Sequence, residues 1–508
     1  MQYKPNIGLE IHLQLATESK MFCGCSNISL EKEPNLNICP ICFGQPGVLP
    51  VLNEKALEMI LSLGIALNGQ VQKKFYFERK NYFYPDLPKG YQISQKRMPV
   101  IKNAFLEISN KKIKIEEIHL EEDTAKIYHQ VDGVAIDFNR AGVPLIEIVS
   151  APELETARQA REYCEELQAI VRTLEISKAN MEKGEMRCEV NISLREIAEL
   201  SRTDADKRGK GQHQLATLGV KVEIKNLNSF RAVERSIEYE IKRQGRLLRD
   251  GERVVQETRG WDETNNKTIS QRAKEKAEDY RYFPEPDLPV FEIKNETIEK
   301  IKKFLPELPS KKRMSLIIDY SFSQTYAKIL ASQDNILDFV RETMNFFKAR
   351  ISEMVEDDEI IDDQKIAKKF GDWIINKLFG LETSLGGKFY EKIKAIAFAE
   401  FMFFVLSGKI FSNQMAENIL KRMYQTGESV EEILADESIQ QSGDQEEIKK
   451  TIELVLENYP EAVADYKRGK ETVVKYLLGQ VMAVTRGRLE PKKAERILLK
   501  LLKQGQSL

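Results

Sequence analysis

The chain reads as an α+β protein: a mixed α/β first part, residues 1–292, followed by an all-helical remainder. Three observations predict this. Apolar and polar residues alternate from Ile7 to Leu15, the period of a half-buried strand, and such runs are interleaved with helical spacing at Glu54 to Asn68 and Glu153 to Ile176. The prolines of Phe283-Pro284-Glu285-Pro286-Asp287-Leu288-Pro289 can continue neither a helix nor a central strand, so a domain boundary is expected near residue 292. Beyond it, Ile298 to Leu305, Asp363 to Phe379 and Lys388 to Leu406 carry helical spacing with few β-rich runs.

A chain of 508 residues has room for about three domains. Its 77 basic and 79 acidic residues leave a net charge of −2, which excludes holding nucleic acid by overall charge. A hydrophobic fraction of 42% supplies several cores and excludes a disordered chain. No apolar run approaches the roughly eighteen residues that cross a bilayer, and the N-terminus lacks a signal-peptide layout, so no membrane contact and a cytoplasmic location are expected. The end of the chain is electrically split. Residues 428–465 carry net −10 and residues 466–508 net +8; such runs are commonly solvated helix faces, and the basic one is also a candidate for phosphate contacts.

Four of the six cysteines form Cys23-x-Cys25 and, after thirteen intervening residues, Cys39-x-x-Cys42. Two close thiol pairs joined by a loop have the spacing of a tetrahedral zinc site, and with four sulfur ligands no position is open for water, so the zinc would be structural. Buried free thiols or a redox pair are the alternatives. Cys164 falls on the apolar face of the Glu153 to Ile176 helix and reads as packing.

On the Ile7 to Leu15 strand, Glu10 and His12 share a face. Arg187 to Arg195 repeats the pattern, with Glu189 and Asn191 opposite Val190 and Ile192, and His119-Leu120-Glu121-Glu122-Asp123 adds three consecutive acids. A hard divalent cation takes carboxylates and water, so Glu10, His12, Glu121 or Glu122, and Glu189 are raw material for a Mg²⁺ site; solvent-facing strands are the alternative. The strip Arg79 to Asp86, followed by Lys89 to Gln92, interleaves aromatic, basic and amide side chains, as a surface that stacks unpaired bases does, or as a structural aromatic cluster does. Glu223 to Phe230 reads as a strand entering a capped helix. The polar stretch Arg202 to Gln214 reads as an exposed excursion between strands. There is no phosphate-binding Gly-x-x-x-x-Gly-Lys-Ser/Thr, no Gly-x-Gly-x-x-Gly and no serine or cysteine triad setting of the kind that frees ammonia from an amide.

Seven segments, in order, resemble one family: Ile7 to Leu15, Lys80 to Gln95, His119 to Lys126, Asp137 to Ser150, Asn180 to Arg195, Glu223 to Phe230 and Asp279 to Pro289. Together they look like the B subunit of glutamyl-tRNA(Gln)/aspartyl-tRNA(Asn) amidotransferases (the GatB family), over essentially the whole chain. The resemblance implies an ATP-dependent carbon–nitrogen ligase in a GatCAB-type heterotrimer, in which an A subunit is the amidase that hydrolyses glutamine and a small C subunit straddles the other two. It implies binding of mischarged tRNA(Gln) or tRNA(Asn), phosphorylation of the tRNA-borne carboxylate with ATP and Mg²⁺, and displacement of the phosphate by ammonia.

Residue by residue, the resemblance implies Mg²⁺ ligands Glu10, His12 and Glu122, with Glu189 where the family usually has Asp. Strand parity alone favours Glu121 beside His119; the expectation follows the resemblance, with a turn or bulge at Asp123. Lys80, Tyr82 and Arg140 match positions near the site and are expected to face substrate. The sequence departs from the family's usual pattern at Thr124-Ala125, Val220 and Gln271, none of them a charged ligand. The implied architecture is a catalytic cradle (1–292), a helical domain (293–400) and a YqeY-like tail (401–508) that holds the tRNA body. A non-catalytic tRNA-binding scaffold is the competing reading. Against it, three acids meeting at one spot would repel phosphate unless a cation were bound.

Overall fold

The computed structural model describes residues 2–27, 33–108, 111–130, 132–197, 219–273, 280–352, 362–410, 412–435, 445–470, 472–484 and 491–504. The expected excursion at Arg202 to Gln214 lies outside the described residues. The chain divides into two compact units, Met1–Pro309 and Ser310–Leu508.

The first unit is built on a nine-stranded mixed sheet. In chain order its strands are β1 (Gln2–Gln14), β2 (Gln70–Val71), β3 (Ile101–Ile108), β4 (Lys111–Glu122), β5 (Pro144–Ser150), β6 (Met186–Ile197), β7 (Val222–Leu227), β8 (Glu257–Asp262) and β9 (Lys267–Ala273). In space they run β9-β8-β7-β6-β1-β5-β4-β3-β2, so the opening strand ends up central, and only β7 and β8 pair in parallel. On β1 the odd residues Ile7, Leu9, Ile11 and Leu13 are buried; they share a core with helices α1 (Glu54–Ala66), α2 (Ala157–Thr173) and α3 (Phe230–Arg249). Both β1 and α2 match their expected patterns within a few residues. The reading of Glu223 to Phe230 also holds: β7 ends at Leu227, and the Ser229 side chain accepts from the Ala232 amide to start α3.

The boundary expected near residue 292 falls later, after Pro309. The prolines end one short strand, but Phe291–Glu292 then pairs with Lys74–Phe75. Helix α4 (Asn295–Phe304) follows, and Ile298, Ile301 and Leu308 close onto the first core. Apolar side chains, not the breakers, decide where this unit ends.

Among its described residues the second unit is all helical. It has two apolar cores, one from Leu316 to Ile433 and one from Ile452 to Leu502. The first runs across the division expected at 400/401, because helix Ala395–Leu406 buries Phe398, Phe401 and Met402 within it. Two expected helices are subdivided: Asp363–Trp373 continues through a π-helical turn, Ile374–Leu378, into Phe379–Leu385, and Lys388 to Leu406 is split into Phe389–Lys392 and Ala395–Leu406.

Tyr163 on α2 is fully buried, and its hydroxyl finds no hydrogen-bond partner among the described residues. A buried hydroxyl left unpaired costs roughly 1–3 kcal/mol, and the ring packing survives its removal. Tyr163→Phe should therefore stabilise the first unit by about 1 kcal/mol, read as a higher urea midpoint; a lower midpoint would contradict this account of α2.

Candidate active site

The even residues of β1 point away from the helices, and the register of its neighbours gathers charge on that face. Glu147 of β5 stands opposite His12, Glu189 of β6 opposite Glu10, and His119 of β4 opposite Glu147. The His12 Nε2 lies 3.4 Å from a Glu147 carboxylate oxygen and 3.5 Å from one of Glu121. His119 Nε2 lies 3.2 Å from Glu147 and 3.9 Å from Glu121. Two sets of ligand atoms, Glu10–His12–Glu147 and His119–Glu121–Glu147, each fall within 4.8 Å. Glu147 belongs to both.

Of the two β4 acids, it is Glu121 rather than Glu122 that stands on this face. Between Ile115 and Ile118 the pairing with β5 slips: Ser150 pairs Ile115 while Val149 pairs Glu117. This bulge comes before His119 rather than at Asp123, so His119 and Glu121 share the polar face. Glu122 turns away. One of its oxygens accepts from the Ile93 amide at 3.0 Å and is paired with Lys89. Parity had favoured Glu121, and it is Glu121 that meets His12.

Crowding four carboxylates on a half-covered face requires positive charge beside them. Burial works against the charge on Glu147, but His119 and His12 outweigh it and hold Glu147 well below the usual carboxylate range. Burial likewise opposes the His12 imidazolium, yet its hydrogen bond to Glu147 and the charges of Glu121, Glu147 and Glu189 hold it up at about 10. Glu121 is raised by burial and by Glu147. Glu10 is pushed up to about 7 by burial and by Glu147 and Glu189. The protein's own cations thus leave Glu10 under-compensated, which fits a site built for an additional cation held by oxygen and imidazole ligands.

Glu189 lies next to Glu10 but is held by Lys225, whose Nζ is 3.0 Å from one of its oxygens and 3.5 Å from Glu223. Lys80 stands with its Nζ 5.1 Å from the Tyr280 ring centroid and 6.0 Å from that of Tyr82. Burial opposes its charge, and Glu121 and Glu147 raise its pKa. Burial and the charges of Asp86 and Glu121 raise Tyr82, which brings both residues to this site. Arg140 is paired with Asp123, two residues beyond Glu121, and donates to the Gly184 carbonyl at 3.2 Å. The sequence reading passed over Glu147 and Lys225. Both sit in alternating runs, Leu145-Ile146-Glu147-Ile148 and Glu223-Ile224-Lys225, that put them opposite apolar core residues.

The four cysteines expected to hold a metal do converge, their sulfurs all within 4.8 Å of one another. A second observation fits an anionic centre. Lys20 is fully buried, with its Nζ 3.6 Å from Cys42 Sγ and 2.8 Å from the Asn37 carbonyl. Cys42 is pulled down to about 4 by the hydrogen bond from Cys23 and by the Cys39 amide, against its burial. A buried ammonium needs a negative partner, which neutral thiols would not supply and metal thiolates would.

A catalytic domain built on one acid- and imidazole-lined sheet face, with a tetrathiol loop at its side and a helical unit after it, is the class that fold and site define. The GatB/GatE catalytic domain profile matches residues 5–299, and a GatB domain profile matches residues 358–502. The B subunit of the aspartyl/glutamyl-tRNA(Asn/Gln) amidotransferase of Persephonella marina is 42% identical over 99% of this chain and 100% of its own length. Those of Thermodesulfovibrio yellowstonii and Thermosipho melanesiensis are each 40% identical over 99% of this chain and 100% of theirs. The chain belongs to the B-subunit family of the aspartyl/glutamyl-tRNA(Asn/Gln) amidotransferases. No helix among the described residues is long and apolar enough to cross a membrane.

Proposed function

We propose that the chain is the aminoacyl-tRNA-binding, ATP-using subunit of a tRNA-dependent amidotransferase, with Glu-tRNA(Gln), Asp-tRNA(Asn) or both as substrates. The tRNA-borne side-chain carboxylate attacks the γ-phosphorus of ATP, the bond to the β-phosphate oxygen breaks, and ADP leaves. Ammonia then attacks the acyl carbon, phosphate departs with the electrons of the carbon–oxygen bond, and the nitrogen loses a proton to leave the amide. A carboxylate is a poor acyl donor, which is why its activation precedes attack.

The observation that carries this reading is the convergence of Glu10, His12, Glu121 and Glu147 on one sheet face, with Glu189 beside them. A scaffold for a polyanion gains nothing from such a patch. These residues would hold Mg²⁺, which would neutralise charge gathering on the transferred phosphoryl. Lys80 and Lys225 place two ammonium groups around the same acids, where phosphate oxygens can be met. Cys23, Cys25, Cys39 and Cys42 would hold a structural zinc. Ammonia is supplied by the amidase partner, the A subunit, and a small C subunit completes the heterotrimer. The helical second unit holds the tRNA body through the basic block of residues 466–508.

The decisive assay co-purifies the chain with its A and C partners and measures amide formation on Glu-tRNA and Asp-tRNA with ATP supplied or omitted; amidation that proceeds without ATP sinks the proposal. Within that assay Glu121→Gln should lower kcat about a hundredfold or more while tRNA still binds. Glu122→Gln should affect kcat far less, and the opposite order would restore Glu122 to the site. Elemental analysis should find about one zinc per chain, and zero with four titratable thiols would leave the cysteines metal-free. Removing residues 445–508 spares the core that ends at Ile433. The shortened chain should bind tRNA more weakly, with a salt dependence shallower by about 0.7–0.9 in log–log slope per lost phosphate contact; an unchanged slope would remove the tail from tRNA binding.

A further inference from the structure

We infer that the thiol loop is a positioning element for the acidic site, acting through Asn139 and the Arg140–Asp123 pair; this rests on the function proposed above. The loop is tied, bond by bond, to the turn that carries Arg140. Lys20 bridges Cys42 Sγ to the Asn37 carbonyl. The Asn37 amide donates to Asn139 Oδ1 at 2.8 Å, and Asn139 Nδ2 donates to the Glu33 carbonyl at 2.9 Å. Asn35 makes a second set: its side chain accepts from the Phe138 amide at 2.7 Å and donates to the Ile136 carbonyl at 3.1 Å. Phe43 packs edge-on against Phe138 at 5.1 Å.

The turn reaches the site. Asn139 is buried, and the next residue, Arg140, is paired with Asp123, to which Arg187 also donates at 3.3 Å. Asp123 is clamped by its backbone as well: its amide donates to the Val143 carbonyl, and its carbonyl accepts from the Gly142 amide. Two residues earlier in the chain stands Glu121, and Arg187 is the residue opposite His12 in the β1–β6 register. On the other side the loop presses on Lys89, the partner of Glu122: a Cβ at Gly44 would overlap the Lys89 side chain. A cavity of about 30 Å³, lined among others by Cys23, Cys42, Lys89, Tyr91 and Glu122, separates the thiols from this pair. Through Lys89 the loop bears on Glu122 and through the 138–140 turn on Asp123, so its closure helps to fix where the Glu121–Glu122–Asp123 run lies.

Asn139 is the residue that separates positioning from mere stability, because it touches neither thiols nor acids. In the intact heterotrimer, zinc is stripped with a thiol-competing chelator and then restored. The expected result is a fall of about tenfold in kcat, with KM for aminoacyl-tRNA within about twofold and faster amide hydrogen exchange at 119–123 and 136–142, all reversed by zinc. Asn139→Ala should keep its zinc and show the same fall in kcat and the same exchange, and Asn139→Asp, which retains the acceptor for the Asn37 amide, should recover part of the loss. A metal-free complex with unchanged kcat and unchanged exchange overturns the inference, as does a complex that never carries zinc or an Asn139→Ala variant with wild-type kcat. Should that variant fail to fold, the chelation arm decides alone. A wild-type complex that forms no amide refutes the proposed function instead, and the exchange measurement still tests the coupling.

Discussion

Glu147 is the carboxylate on which the site depends. It is ionised because two imidazoles, His12 from one side and His119 from the other, lie within 3.4 Å of its oxygens, and burial strengthens that attraction as much as it penalises an unpaired charge. Without Glu147 the two imidazoles would face each other's charge across the middle of a sheet. With it, Glu10 and Glu121 are drawn onto the same face at the cost of raised pKa values. A patch of this kind is costly to maintain and is conspicuous for that reason: acids that repel each other are retained on a face where solvated side chains would fold as well.

The other face of the sheet makes the patch rigid. Ile7, Leu9, Ile11 and Leu13 are sealed against α1, α2 and α3, so a one-residue slip of β1 would bury Glu10 and His12 in that core and expose the apolar set. The register that defines the site is therefore enforced by hydrophobic burial beneath it. Lys225 and Lys80 arrive from β7 and from the strand Glu78–Asn81, each carried by an element anchored elsewhere: β7 by its run into capped α3, Glu78–Asn81 by the two 2.7 Å bonds from Arg79 to Glu285.

Alternation made β1, the shared face of Glu10 and His12 and the nature of the fold legible before any coordinates. It also favoured Glu121, the acid that stands 3.5 Å from His12. Resemblance pointed to Glu122; the bulge between Ile115 and Ile118, marked in β4 by the change of its buried apolar residues from Ile113 and Ile115 to Ile118 and Leu120, leaves His119 and Glu121 on the polar face. Glu147 was overlooked although its alternation is as clear as that of Glu10, because a single acid in an apolar run signals nothing until the register sets it between two histidines. The domain limits near 292 and 400 were read from chain breakers and from analogy, whereas cores close where apolar side chains run out, at Leu308 and Ile433. The clustering of the cysteines followed from spacing, but the buried Lys20 beside them did not, since nothing local distinguishes it from a surface lysine.

The thiol loop shows how a segment without a core can still hold a fixed course. From Leu15 to Asn53 the described residues contain no helix and no strand beyond an isolated bridge between Ser19 and Ser26; Met21 and Phe22 enter the core, but beyond them Leu36, Leu49 and Val51 lie exposed, so hydrophobic burial does not fix the path of the rest. What remains is point attachment. Asn53 caps α1 with its oxygen while its amide nitrogen holds the Ser19 and Lys20 carbonyls, Asn27 binds the carbonyls of Leu15 and Thr17, and the four sulfurs meet in the middle. Each attachment alone leaves a long loop with most of its conformational entropy; a cross-link among all four sulfurs divides it into short closed segments and leaves each little freedom. Since Asn35 and Asn37 lie between Cys25 and Cys39, and Lys20 bonds both Cys42 and Asn37, the order that the sulfurs impose passes directly to the 136–140 turn and hence to Asp123.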